Sequence, residues 1–99
     1  NNLPPFQRFI SLILTGENEN KLEKEAMKFK MFLEKKINGK ILGPVNAPIF
    51  RLKSKYRVRL LIRGPKTLKL QNSLALSISK YRFLSGIKLS VDVDPINFN

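Results

Sequence analysis

The spacing of apolar residues changes period along the chain, and each change marks an element. Ile10, Leu12 and Leu14 alternate with Phe9, Ser11 and Ile13, the period of two that predicts a strand from Phe6 to Thr15. Both sets are largely apolar, which points to a central strand or to one covered on its second face by another domain. The segment 16–20, Gly-Glu-Asn-Glu-Asn, breaks the pattern, and Asn20 with Glu23 three residues on reads as a capping box. Leu22, Ala26, Phe29, Leu33 and Ile37 then recur at helical spacing, with Met27 and Phe32 widening the stripe. Lys21, Lys24, Lys28 and Lys35 interleave with Glu17, Glu25 and Glu34, and this mixture reads as an ordinary solvated face. Asn38-Gly39 reads as the helix stop, the glycine being free to turn left-handed.

Ile41-Leu42 begins a second, short strand. Gly43-Pro44 and Ala47-Pro48 interrupt it, because proline cannot donate to a ladder. Residues 43–55 therefore read as a proline-containing loop ending in a basic hairpin tip, Arg51 to Lys55. The third strand, Tyr56 to Arg63, alternates most clearly. Tyr56, Val58, Leu60 and Ile62 take one face, and Arg57, Arg59, Leu61 and Arg63 the other. After Gly64-Pro65, Thr67 can cap a second helix whose buried stripe is Leu70, Leu74, Ile78 and Tyr81. Past Gly86, the residues Ile87, Leu89, Val91 and Val93 alternate with Lys88, Ser90, Asp92 and Asp94, and Pro95 closes the last strand.

The order strand, helix, strand, strand, helix, strand predicts an α+β fold: a split βαββαβ two-layer sandwich, with a four-stranded, antiparallel-rich sheet and both helices on one face. Ninety-nine residues make one domain, 1–99, with residues 1–5 as a proline-containing lead-in linker. The opposite sheet face then carries Arg57, Arg59 and Arg63 beside Lys88, with Asp92 and Asp94 partly offsetting them.

Charge sharpens this picture. Nineteen basic residues against seven acidic give +12, and the surplus is lopsided. Residues 1–50 hold eight Lys/Arg and five Glu, whereas residues 51–99 hold eleven Lys/Arg and two Asp. All eleven cations of the second half lie between Arg51 and Lys88, with no acid among them. A one-sign run repels itself, so it points to a polyanion, nucleic acid first. The chain has no Cys and no His, which excludes disulfides, thiol nucleophiles, imidazole bases and the usual zinc or haem ligands. No apolar run reaches the roughly 18–20 residues of a membrane helix, so no membrane role is expected.

Recognisable chemistry is otherwise missing. Gly64-Pro65-Lys66-Thr67 fails the spacing of a phosphate-binding loop, and Pro65 lacks the N–H such a loop needs. Asp92 and Asp94 share a strand face but have no third ligand nearby in sequence. No catalytic residue, metal site or resident cofactor is expected.

Three blocks carry a family resemblance. Leu3-Pro4-Pro5-Phe6 opens the chain, LGPVNAPIFRLKSKYRVRLLIRGP runs from Leu42 to Pro65, and Val91-Asp92-Val93-Asp94-Pro95 lies near its end. Together they resemble the C-terminal domain of the PriA family, the primosomal replication-restart helicases (primosomal protein N′), over essentially the whole chain. Ser54 stands where the family commonly has Gly, and the turn at 17–20 looks longer than usual. The resemblance implies that this is the C-terminal piece of an ATP-dependent 3′-to-5′ DNA helicase, with ATP, magnesium and zinc bound by the parent outside these residues. It implies a fold similar to a small-subunit ribosomal protein, and help in binding branched or single-stranded DNA at stalled forks. It further implies packing beside the helicase core and a contact with the acidic tail of single-stranded DNA-binding protein near the start of the second helix. Gln71 matches the family's polar residue there, while Thr67 replaces a more typical Arg.

The expectation is thus an accessory DNA-binding and docking domain of a bacterial, cytoplasmic replication-restart helicase, without enzymatic activity of its own. Arg51, Lys53 and Lys55 at the tip are the expected phosphate contacts, extended along the sheet by Arg57, Arg59 and Arg63. Phe9 and Ile13 are the expected contacts with the helicase core. Few aromatics lie among the cations, so backbone and shape recognition is expected rather than base reading. Two alternatives share the layout: a ribosomal or RNA-binding subunit, and a purely structural docking domain.

Overall fold

The computed structural model describes residues 7–52 and 55–93, with the backbone alone for 48–52. Strand β1 (Gln7–Gly16) is followed by helix α1 (Glu19–Glu34), strands β2 (Lys40–Leu52) and β3 (Lys55–Pro65), helix α2 (Leu68–Lys80) and strand β4 (Lys88–Val93). The strands form one sheet in the order β2-β3-β1-β4, and every pairing is antiparallel. The split βαββαβ layout is therefore present, and β1 lies inside the sheet, as its two apolar faces predict.

One face of the sheet meets both helices. Ile10, Leu12 and Leu14 of β1 and Val58, Leu60 and Ile62 of β3 are buried against Leu22, Ala26, Phe29 and Leu33 of α1 and Leu70 and Leu74 of α2. Period-two and helical stripes thus meet in one core, and non-directional burial of these side chains holds the two layers together. The core extends into a ring cluster beyond α2. Phe29 lies 4.8 Å from both Tyr81 and Phe83, and Phe32 lies 5.0 Å from Tyr81, in tilted geometries that suit aromatic pairs.

Several local expectations are corrected. Asn18, not Asn20, caps α1: its backbone is extended, and its side chain accepts the N–H of Lys21 at 2.9 Å. Asn20 already lies within the helix, so Glu23 is no capping-box partner. Helix α1 ends at Glu34, before Asn38-Gly39, with the Ile37 N–H closing back on the Leu33 carbonyl at 3.0 Å. Ile37 keeps its buried place just past the helix. Met27 is 45% exposed, because it falls five residues after Leu22, off the stripe. Glu25 is buried rather than wet, with 2% exposure, since it falls three residues after Leu22 and inside the stripe. Tyr81 is the C-cap of α2 rather than part of its helical stripe, whereas Thr67 does cap its start, accepting the Leu70 N–H at 3.4 Å.

The largest correction concerns 43–55. The prolines do not end the strand: β2 runs unbroken from Lys40 to Leu52. They interrupt its pairing instead, as register shifts against β3 between Leu42 and Val45 and between Asn46 and Arg51. Bulges absorb residues that cannot join a ladder while the strand continues. At the first shift the Gly43–Pro44 peptide is cis, and Gly43 has φ +105°. Its carbonyl accepts the Lys30 ammonium at 2.7 Å, which ties α1 to the bulge. Leu52 pairs with Lys55, and residues 53 and 54 of the expected tip lie outside the described residues.

Candidate nucleic-acid interface

The face of the sheet turned away from the helices follows from register, because directly paired residues share a face. Arg63 of β3 stands between Lys40 of β2 and Phe9 of β1. Leu61 stands between Leu42 and Ser11, with Asp92 of β4 beyond Ser11. Arg59 stands between Val45 and Ile13, with Ser90 beyond. At the far end Thr15 stands between Arg57 and Lys88. Cations and apolar residues therefore alternate on one open face.

Most of the expected site residues meet here. Arg57 and Arg59 are half-buried, and Arg63, Lys55 and Lys88 are exposed. Residues 57 and 59 are spaced by two along a strand, which sets their Cα atoms about 6.8 Å apart. The tip is only partly visible. Arg51 pairs with Tyr56 through its backbone, its side chain lies outside the described residues, and Lys53 lies wholly outside them. Asp94, the expected companion of Asp92, also lies outside. Among the described residues no group of three His, Cys, Asp or Glu converges as a metal site.

Phe9 and Ile13 are half-buried on this same face and do not belong to the core cluster. They are the direct cross-strand partners of Arg63 and Arg59. The expected docking residues and the expected phosphate contacts thus form one surface. Lys40 belongs to it as well; sequence reasoning passed over it, because only pairing with Arg63 places it there.

Two basic clefts flank the sheet at opposite ends. One, of about 350 Å³, is bordered by Lys21, Lys55 and Lys88, with Glu17 as its carboxylate. The other, of about 280 Å³, is bordered by Lys35, Lys36 and Lys69 and contains Thr67. Gln71, one turn into α2, is engaged from below: its side-chain oxygen accepts the guanidinium of Arg8 on β1. Thr67 and Gln71 therefore sit at one end of the molecule, but Thr67 uses its hydroxyl as a helix cap and Gln71 uses its oxygen on Arg8.

No helix among the described residues is long and apolar enough to cross a membrane.

Comparison with known proteins gives a consistent picture. The family described as the primosomal protein N C-terminal domain matches residues 1–96. Replication restart protein PriA of Rickettsia felis is 37% identical over 97 residues, covering 98% of this chain and 15% of that protein. PriA of Synechocystis sp. is 33% identical over 100 residues, covering 99% of this chain and 12% of that protein. PriA of Helicobacter pylori is 32% identical over 98 residues, covering 95% of this chain and 15% of that protein. The chain thus spans about one seventh of the length of the curated relatives it matches. These matches separate the replication-restart family from the ribosomal alternative, which layout and charge alone left open.

Proposed function

The chain belongs to the primosomal protein N C-terminal domain family, and from that premise we propose that it is an accessory DNA-binding and docking domain of a replication-restart helicase. The parent activity, with its ATP, magnesium and zinc, belongs to residues outside this chain, and the working place is the cytoplasm of a bacterium, at stalled forks. The observation that carries the reading is the outer sheet face, where Lys40, Arg63, Arg59, Arg57 and Lys88 fall in register with neither described helix over them.

A sheet face of this kind offers donors at fixed spacing and few stacking rings. It suits phosphate contacts and shape rather than base edges. The apolar partners give the face a second use. Phe9 lies beside Arg63 at the β1 end that follows the lead-in linker, so the helicase core covers the Phe9–Ile13 part. DNA then takes the opposite end, with Arg57, Lys88, Lys55 and the tip. Arg59 pairs with Ile13, so docking and DNA binding share neighbouring residues of one surface.

The contact with single-stranded DNA-binding protein falls at the other end. Thr67 does not supply the positive charge of the family's Arg. Lys35, Lys36 and Lys69 border the same cleft and supply cations for an acidic tail, while Arg8 holds Gln71 in place.

The test is a titration of the chain with forked DNA, followed by backbone amide NMR signals. Shifts concentrated on 55–63, 13–16 and Lys88 support the reading. Shifts confined to the exposed face of α1 contradict it.

A further inference from the structure

The cleft at the β1–α1 turn brings together three lysines that the sequence keeps far apart. Lys21 comes from the first turn of α1, Lys55 from the start of β3 and Lys88 from the start of β4. On the sequence, Lys21 belongs to a mixed-charge helix and reads as routine surface. The fold keeps Glu17 beside it and adds two cations of the outer sheet face. All three side chains are exposed, and Glu17 is the carboxylate among the lining residues.

Three lysines that border one cavity carry like charges, and one carboxylate offsets only one of them. An exposed lysine is free to swing away, so the convergence is cheap in the free protein. It becomes favourable when a compact anion is shared between the three. Lysine suits such an anion: it is a point charge with rotatable donors and needs no planar, two-pronged partner. The cavity, at about 350 Å³, has room for a phosphate group with its sugar. Gly86, with φ +89°, forms part of the lining between Ser85 and Ile87, and it adds no side chain of its own there.

The cleft is also continuous with the cationic sheet face. Arg57 and Lys88 flank Thr15, one residue before Gly16 at the cleft edge. A strand lying along Arg59 and Arg57 therefore reaches Lys88, Lys55 and Lys21 next.

We infer that Lys21, Lys55 and Lys88 form a phosphate-binding site, which seats one backbone phosphate of a nucleic-acid strand as it leaves the outer sheet face. The inference rests on the nucleic-acid reading above, but it names a site and a residue, Lys21, that the reading alone does not require.

The test uses the 99-residue chain, whose own elements enclose its core, with a fluorescent oligothymidylate as probe and circular dichroism as the check on folding. One variant carries Lys21→Ala, Lys55→Ala and Lys88→Ala. A charge-matched control carries Lys24→Ala, Lys28→Ala and Lys66→Ala, all exposed and none at the cleft. The cleft variant is expected to lose about tenfold in affinity at low salt, and to flatten the slope of log affinity against log salt by about 0.7 for one lost phosphate. Lys21→Ala alone is expected to exceed Lys24→Ala alone. Equal losses in cleft and control variants overturn the site and leave the nucleic-acid reading standing. If the unaltered chain does not bind the oligonucleotide at all, that reading fails. Pyrophosphate then serves as the probe, and amide shifts at 16–21 and 85–88 that vanish in the cleft variant keep the phosphate site without its nucleic-acid source. No such shifts overturn it entirely.

Discussion

The backbone N–H of Leu84 donates to Oε2 of Glu25 at 3.0 Å, across the core from α1 to the segment after α2. Glu25 is buried, and it also accepts the Tyr81 hydroxyl. A carboxylate inside an apolar layer is tolerated when donors reach it. Here those donors fix the path of the chain between α2 and β4. Replacing Glu25 with Ala leaves the Leu84 N–H and the Tyr81 hydroxyl without their acceptor, which is expected to cost about 1–3 kcal/mol. Replacing it with Gln keeps an acceptor and is expected to cost less. Urea denaturation of the two variants measures the difference, and an Ala variant as stable as the parent chain rules the role out.

Tyr81 gives the same contact a pH signature. Burial, then the charge of Glu25, then the hydrogen bond to it raise its phenol above the ordinary value of 10.0. The folded state thus favours the neutral phenol more than the unfolded state does. The stabilisation is complete below pH 10.0 and is lost as the pH climbs from there through the raised folded value. Tyrosinate absorbance in a Tyr56→Phe background is expected to rise later than for a free tyrosine. Glu25→Gln is expected to bring the transition back down. An unchanged titration in the Gln variant contradicts the assignment.

Two glycines with positive φ separate strain from collision. Gly86→Ala meets open space and carries only the conformational cost, about 1–2 kcal/mol. Gly43→Ala carries that cost and also sets a Cβ 2.7 Å from the Arg59 carbonyl oxygen, so it is expected to be clearly the more damaging. Thermal unfolding of the two variants gives the order directly. Equal losses mean that β2 shifts freely at its bulge.

Much of this architecture is legible in the sequence. Val58, Leu60 and Ile62 alternate so strictly that the inward face of β3 follows from period alone, and Leu22, Ala26, Phe29 and Leu33 do the same for α1. Glu25 is the exception: its residue type suggests a wet position and its spacing from Leu22 a buried one, and partners 56 and 59 residues away decide that a carboxylate is tolerated in the stripe. Pro44 and Pro48 suggest a loop in the sequence, but a bulged strand accommodates residues that donate no hydrogen bond. The cationic face was half visible. Arg57, Arg59 and Arg63 share a parity that one strand reveals, and Lys88 is expected beside them, whereas Lys40 and Lys21 join them only through cross-strand register and the turn into α1. Pairing is a long-range property that no local period encodes.

The acidic-tail contact has its own readout. An acidic peptide ending in a free carboxylate is expected to bind at the cleft holding Lys35, Lys36 and Lys69. Lys69→Glu is expected to weaken it severalfold, since it turns an attractive charge at the cleft into a repulsive one. Binding insensitive to Lys69→Glu, measured by fluorescence anisotropy at low salt, removes this cleft as the site.

The salt dependence of single-stranded DNA binding tests the central reading most directly. If about three to five phosphates are contacted, log affinity falls against log salt with a slope of about −2 to −3.5. Changing Arg51, Lys53 and Lys55 together to Ala is expected to flatten that slope by about two, at roughly 0.7 for each phosphate lost. The same number of changes at Lys24, Lys28 and Lys66 is expected to move it far less. A slope near zero in the unaltered chain, or equal flattening by both triple changes, contradicts a phosphate-binding sheet face and leaves only net charge.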